Sequence, residues 1–229
     1  MNSTMALFDE RVQEIDFFYS IMLDIDQGSN AIRTQDNAKF QRMLKSNFLL
    51  MLYNLVEACT ISGLLEIYEH MNSESSAYYD LIDEIQKLWT NNRIGEIYKN
   101  QAGIASYENR VQEIIHQITT SQPIELKRQV FKEKGNFDAR AIMRLCDKHR
   151  IRYIASDDDG HLRTVKDKRN HLAHGDESFG DCARDMTLSD LEKIKNAVVT
   201  FISCILTGMK DYDDNKAYLA ANQVAATPQ

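Results

Sequence analysis

Residues 169 to 175 read Arg-Asn-His-Leu-Ala-His-Gly, which sets an arginine, a carboxamide and two imidazoles within six positions. Arginine carries a rigid fork of N–H donors that matches the oxygens of a phosphate. Histidine takes and gives a proton near neutral pH. Together they suit cleavage of a phosphodiester by general acid–base transfer without a metal. The competing reading is structural: a helix end whose basic side chains satisfy backbone carbonyls.

Spacing sharpens the first reading. Asn170 and His174 are four apart and share a helix face. Arg169 and His174 are five apart, about 140° around a helix of 3.6 residues per turn. They meet at one phosphate only if the helix ends there, as Gly175 suggests, or if a second copy of the segment faces the first. His171 and His174 could hold a metal together, but no third ligand stands at motif spacing, so no metal or cofactor is expected. Asp157-Asp158-Asp159-Gly160 matches a calcium loop only in part, because Ala155 and Lys166 occupy the places of its first and closing ligands. There is no Gly-rich phosphate loop and no Gly-x-Ser-x-Gly elbow.

The elements that must position this segment read as helices throughout. The 229 residues include two prolines, where average usage of ~5% would give about eleven, and only nine glycines. A sandwich or barrel needs more turn residues than that. Phe8, Val12, Ile15, Phe18, Tyr19, Met22 and Ile25 form one apolar stripe, predicting a helix to Asp26. A longer helix fits Asp36 to Met71. Its centre, Phe48 to Leu52, is apolar on every side, which marks the central helix of a bundle. Asn47, Asn54 and Glu57 interrupt that run near one face. Further helices fit Tyr78 to Trp89, Tyr107 to Ile118, Asn136 or Asp138 to Arg150, and about Leu162 to His174. The last runs from about Thr187 to Met209. The fold class is therefore all-α: a bundle of long antiparallel helices, one domain over residues 1–218. Residues 91–135 read as an irregular helical insertion between core helices, and 219–229 as a disordered tail.

Charge and composition narrow the environment. The net charge is −7, yet residues 127–169 hold thirteen Lys and Arg against seven Asp and Glu, a local net of +6 that leaves −13 elsewhere. A basic stretch ending at the motif fits an RNA binder restricted to one site, and bulk acidity opposes indiscriminate coating of DNA. Lys166, Lys168, Asn54 and His171 are the candidate substrate contacts. Cys59, Cys146, Cys182 and Cys204 form no CxxC pair and read as free thiols of a reducing cytosol. No apolar run approaches the ~20 residues of a membrane span, and the N-terminus lacks a signal pattern. A cytoplasmic protein with no membrane contact is expected.

The segment Arg169-Asn170-x-x-x-His174 resembles the Arg-x4–6-His motif of the HEPN superfamily, all-α bundle proteins that include many ribonucleases. Asn170 fills the polar place that typically follows the arginine there. Asn54-Leu55-Val56-Glu57 looks like the polar pair in the long helix of prokaryotic members. With Ser178-Phe179 following, the motif is most similar to a branch found near toxin–antitoxin and phage-defence genes. The resemblance spans most of the chain. It implies a homodimer whose two motifs make one composite endoribonuclease site. Arg169 would hold the scissile phosphate, His174 would move protons, Asn170 would orient the site, and Glu57 would position Arg169. It also implies an RNA substrate and an antitoxin or defence-system partner protein. In one toxin subgroup a tyrosine two residues beyond the motif histidine is modified by the antitoxin. Asp176 stands there, so silencing by that route is not implied. The alternative is a non-catalytic module that dimerises and binds RNA or nucleotide within a larger complex.

Overall fold

The computed structural model describes residues 1–28, 37–99, 104–128, 136–154 and 160–223. Among these the chain is all-α: α1 (Asn2–Asp26), α2 (Asn37–Ser73), α3 (Asp83–Lys99), α4 (Ile104–Thr119), α5 (Ala139–His149), α6 (His161–His174), α7 (Leu188–Asp214) and α8 (Ala220–Gln223). The described residues contain no strand, only isolated bridges at Ala77–Pro123 and Leu81–Leu219.

The apolar middle of α2 fills the centre, with Phe48, Leu49, Leu52, Leu55 and Leu64 fully buried. By length and composition α2 could cross a membrane, but 56% of its most apolar stretch is buried inside this bundle. α1 packs antiparallel on it, since Thr4 bonds Glu66 at one end and Tyr19 stacks near Phe48 at the other. α6 also runs against α2. α7 instead runs alongside α2 in the same direction: Lys45 donates to the Met186 carbonyl, and the His70 ring bonds Asp213. Gly208 lets α7 approach the 150–154 segment; a Cβ there would lie 2.1 Å from the Arg152 carbonyl oxygen.

Two helix starts differ from the periodicity reading for the same reason. α1 begins at Asn2, six residues before its apolar stripe. The Glu66 carboxylate on α2 accepts from the Ser3 and Thr4 amides (3.2 and 2.9 Å) and so caps the helix from outside its own sequence. Burial alone would raise the Glu66 pKa, but these bonds, the Thr4 hydroxyl and the terminal amine hold it down at about 2. The expected helix from Tyr78 is broken. A 3₁₀ turn covers Tyr78–Asp80, Leu81 is extended, and the Ile82 amide bonds the Tyr218 carbonyl at 3.0 Å before α3 begins. Leu219, read as the start of a loose tail, is paired with Leu81, and α8 follows it.

Residues 91–135 include the end of α3 and all of α4. Ile124 and Leu126 from this stretch enter the core. Residues 100–103, 129–135, the aspartates of the 155–159 turn and the tail beyond 223 lie outside the described residues. Two other helix starts are set locally. Asp138 caps α5 by accepting from the Ala141 amide at 2.9 Å. Thr187 and Asp190 form a reciprocal capping box at the head of α7.

Candidate functional site

The core stripe of α6 is Leu162, Val165 and then Arg169, with Leu172 one turn further. Leu162 and Val165 are buried. Arg169 therefore occupies a position where the spacing calls for an apolar residue, and its side chain is directed at α2. There the guanidinium carbon sits 4.5 Å from the centre of the Tyr53 ring. Nη2 lies 3.6 Å from Oε2 of Glu57, one turn along α2 from Tyr53. Nη1 donates to Oδ1 of Asn170 at 2.9 Å. Arg169 and Glu57 are each a little over one quarter exposed. The pair is thus a charge contact at the bundle's edge rather than a bond in its interior, and Glu57 is one of several groups that hold Arg169.

Asn170 is itself anchored, because its Nδ2 donates to Oδ1 of Asn136 at 2.9 Å. The next residue of that segment donates its amide to the Tyr53 hydroxyl (Phe137, 3.3 Å). One strap, Asn136–Phe137, thereby touches both the carboxamide beside Arg169 and the ring beneath it.

α6 ends at His174 because Gly175 adopts the left-handed conformation, φ 77°. The Asp176 amide returns to the His171 carbonyl (2.9 Å) and the Gly175 amide to that of Leu172 (3.3 Å). This double bond pattern is a Schellman closure. His174 is exposed, and its ring has no hydrogen bond or ion pair among the described residues. An imidazole exposed at a helix end is the result.

The other candidates are placed as follows. Lys166 bonds Asp138 at 2.9 Å, tying α6 to the head of α5. The bond to Asp138 raises the Lys166 pKa against the effect of burial. Lys168 and His171 both reach Glu177, at 3.0 and 3.3 Å, which lashes α6 to the loop after it. The Lys168 bond chiefly lowers the Glu177 pKa. Asn54 is exposed on α2 beside Glu57. Among the described residues no three His, Cys, Asp or Glu side chains are grouped to share a metal ion. The four cysteines are unpaired.

Sequence reasoning missed Tyr53, Asn136 as the holder of Asn170, and Glu177. Tyr53 had a signal: it precedes Glu57 by four on the same helix face. The other two are joined to their partners only in three dimensions.

The class defined here is an all-α bundle carrying an Arg-x4-His pair on a short helix against a long central one. The model of the MAE_28990-like HEPN family matches residues 5–218, and the chain belongs to the HEPN superfamily. Neither the curated proteins nor the solved structures compared with it gave a match.

Proposed function

We propose that this HEPN chain is an endoribonuclease that cuts RNA without a metal, through a composite site made by two copies. The observation that carries the reading is the contrast between Arg169 and His174. The guanidinium is immobilised by Tyr53, Glu57 and Asn170, while the imidazole stands open at the end of the same helix. A fixed donor fork suits a phosphate whose charge grows in the transition state. An open imidazole suits proton transfer.

In this reading one His174 takes the proton of the ribose 2′-hydroxyl as that oxygen attacks phosphorus. Arg169 stabilises the charge on the five-coordinate phosphate. The P–O5′ bond breaks, and the leaving oxygen takes a proton from the imidazolium of the second copy, which becomes neutral. The products are a 2′,3′-cyclic phosphate and a 5′-hydroxyl. The roughly 140° between Arg169 and His174 on one helix is the reason two copies are invoked. Asn170 orients the site and Glu57 positions Arg169. Asn54 contacts substrate, and Lys166, Lys168 and His171 hold the motif helix beside it. The motif's resemblance to defence-associated members supports a cytoplasmic role in a prokaryotic defence or toxin–antitoxin system, with a partner protein that controls the site.

The test is incubation of purified protein with total RNA in the presence of a chelator. Discrete cleavage is expected, with the stated product ends. His174→Ala is expected to reduce it by ~10²–10⁴, and Arg169→Ala by ~10²–10³. Full activity of the His174 variant, strict dependence on a divalent ion, or cleavage by a monomer in light scattering would each contradict the reading. RNA that is bound but never cut would identify a binding module instead.

A further inference from the structure

Among the described residues a groove lies along α2 and reaches Glu57 at one end. Asn54, Glu57, Ala58, Ile61, Ser62 and Leu65 of α2 form its floor, and Arg11 of α1 and Arg128 complete its lining. From Asn54 to Leu65 the floor spans about 16 Å at 1.5 Å per residue. The end at Glu57 is where Arg169 sits, 3.6 Å from that carboxylate. Arg11 is 44% exposed and paired with an equally exposed Glu14 at 2.9 Å. Such a surface pair is weak, so an incoming phosphate competes for the guanidinium.

The geometry points to this groove as a docking track for single-stranded RNA on one side of the cleaved bond. Arg11 and Arg128 take backbone phosphates along it. Ala58, Ile61 and Leu65 offer apolar surface to base faces. Asn54 and Ser62 offer hydrogen bonds that do not select one base. This assignment rests on the ribonuclease reading and extends it beyond the motif helix. The two arginines outnumber the one carboxylate of the lining, Glu57, which Arg169 meets, and they supply the charged track of sequence-tolerant single-strand binding, with aliphatic side chains where aromatic stacking platforms are usual. A second copy is the poorer occupant. Twofold contacts set a patch against itself, and a groove closed on its own copy leaves a void and opposes like arginines.

The experiment measures binding of a fluorescent 2′-O-methyl oligonucleotide, which lacks the attacking hydroxyl, by anisotropy across a salt series. The full chain, R11A, R128A, the charge-reversed R128E and the remote control R110A are compared. R11A and R128A are expected to weaken binding several-fold. Each should reduce the slope of log affinity against log salt by about 0.7, the value for one single-strand phosphate contact. R128E should weaken it further, and R110A should match the parent. Unchanged affinity and slope in the groove variants, with a parent that binds and cuts RNA, overturns the track and leaves the ribonuclease reading standing. A parent that neither binds nor cuts RNA overturns both. Groove variants that keep RNA affinity but change mass in light scattering make the groove a chain–chain interface, which also overturns it.

Discussion

The guanidinium carbon of Arg169 lies 4.5 Å from the centre of the Tyr53 ring, and that ring is almost wholly buried at 1% exposure. A cation on the face of a desolvated aromatic ring is attracted to its π-electrons and cannot slide without leaving them. The Tyr53 hydroxyl is held in turn by the Phe137 amide. Arg169 therefore rests on a platform that is itself fixed from the far side.

The platform can be tested by separating the ring from its hydroxyl. Tyr53→Phe keeps the face and is expected to cleave RNA within a few-fold of the parent. Tyr53→Leu removes it. A cation–π contact of about 0.5–2 kcal/mol corresponds to roughly a two- to thirtyfold loss of rate if it serves the transition state. Equal activity in the two variants would show that the ring merely fills space.

Glu57 makes a weaker demand. Its contact with Arg169 is 3.6 Å long and over a quarter exposed on both sides, so its stability contribution is at most about 1 kcal/mol. Glu57→Gln and Glu57→Ala are expected to melt within about 4 °C of the parent. Activity should fall in both, but by less than in Arg169→Ala, because Tyr53 and Asn170 still hold the guanidinium. Kinetics and thermal melts on the three variants decide it.

Gly175 and Gly28 provide a matched pair. Both sit at positive φ after a helix, 77° and 73°, with open space where a Cβ would be added. An alanine at either position is expected to cost about 1 kcal/mol through backbone strain alone. Only Gly175→Ala should reduce cleavage beyond what its melting shift explains, because it disturbs the turn that seats His174. Identical activity losses in the two variants would contradict that.

Gly208→Ala is expected to be among the more damaging single changes outside the site. The added carbon would meet a backbone carbonyl at 2.1 Å, and a backbone cannot rotate aside as a side chain does. Overpacking of this kind typically costs about 1–3 kcal/mol or more. Denaturant unfolding measures it.

His149 predicts a pH dependence of stability. Its ring is buried, with Nε2 2.5 Å from the Tyr68 hydroxyl and Nδ1 2.7 Å from the Leu145 carbonyl. Burial pushes its pKa down to about 4 from 6.5. Above pH 6.5 both folded and unfolded chains hold it neutral, so it contributes no pH dependence. As pH falls from 6.5 to 4 the unfolded chain takes up a proton that the folded chain refuses, and stability drops by on the order of 3 kcal/mol. His149→Gln should flatten that window. The loss tied to Glu66, whose pKa is lowered from 4.5 to about 2, runs between those values as the carboxylate protonates and overlaps only the lower edge of the His149 window. An unchanged slope between pH 6.5 and 4 in His149→Gln would rule the assignment out.

Helix identities, the Arg169–His174 spacing and the stop at Gly175 were legible in the chain. Periodicity, capping and a left-handed glycine act over a few residues, so the linear order contains all that they need. The boundary at Asn2 and the break at Leu81 were not, because Glu66 and the 218–219 segment set them from across the fold. The candidate site divides the same way. Arg169, Asn170 and His174 stand within six residues of one helix. The groups that aim them come from elsewhere: Tyr53 and Glu57 on α2, and Asn136, thirty-four positions from Asn170. An arginine in an apolar stripe announces that something polar or aromatic must meet it. Which residue does so depends on how α2 and α6 are rotated against each other, and packing of the whole core sets that rotation.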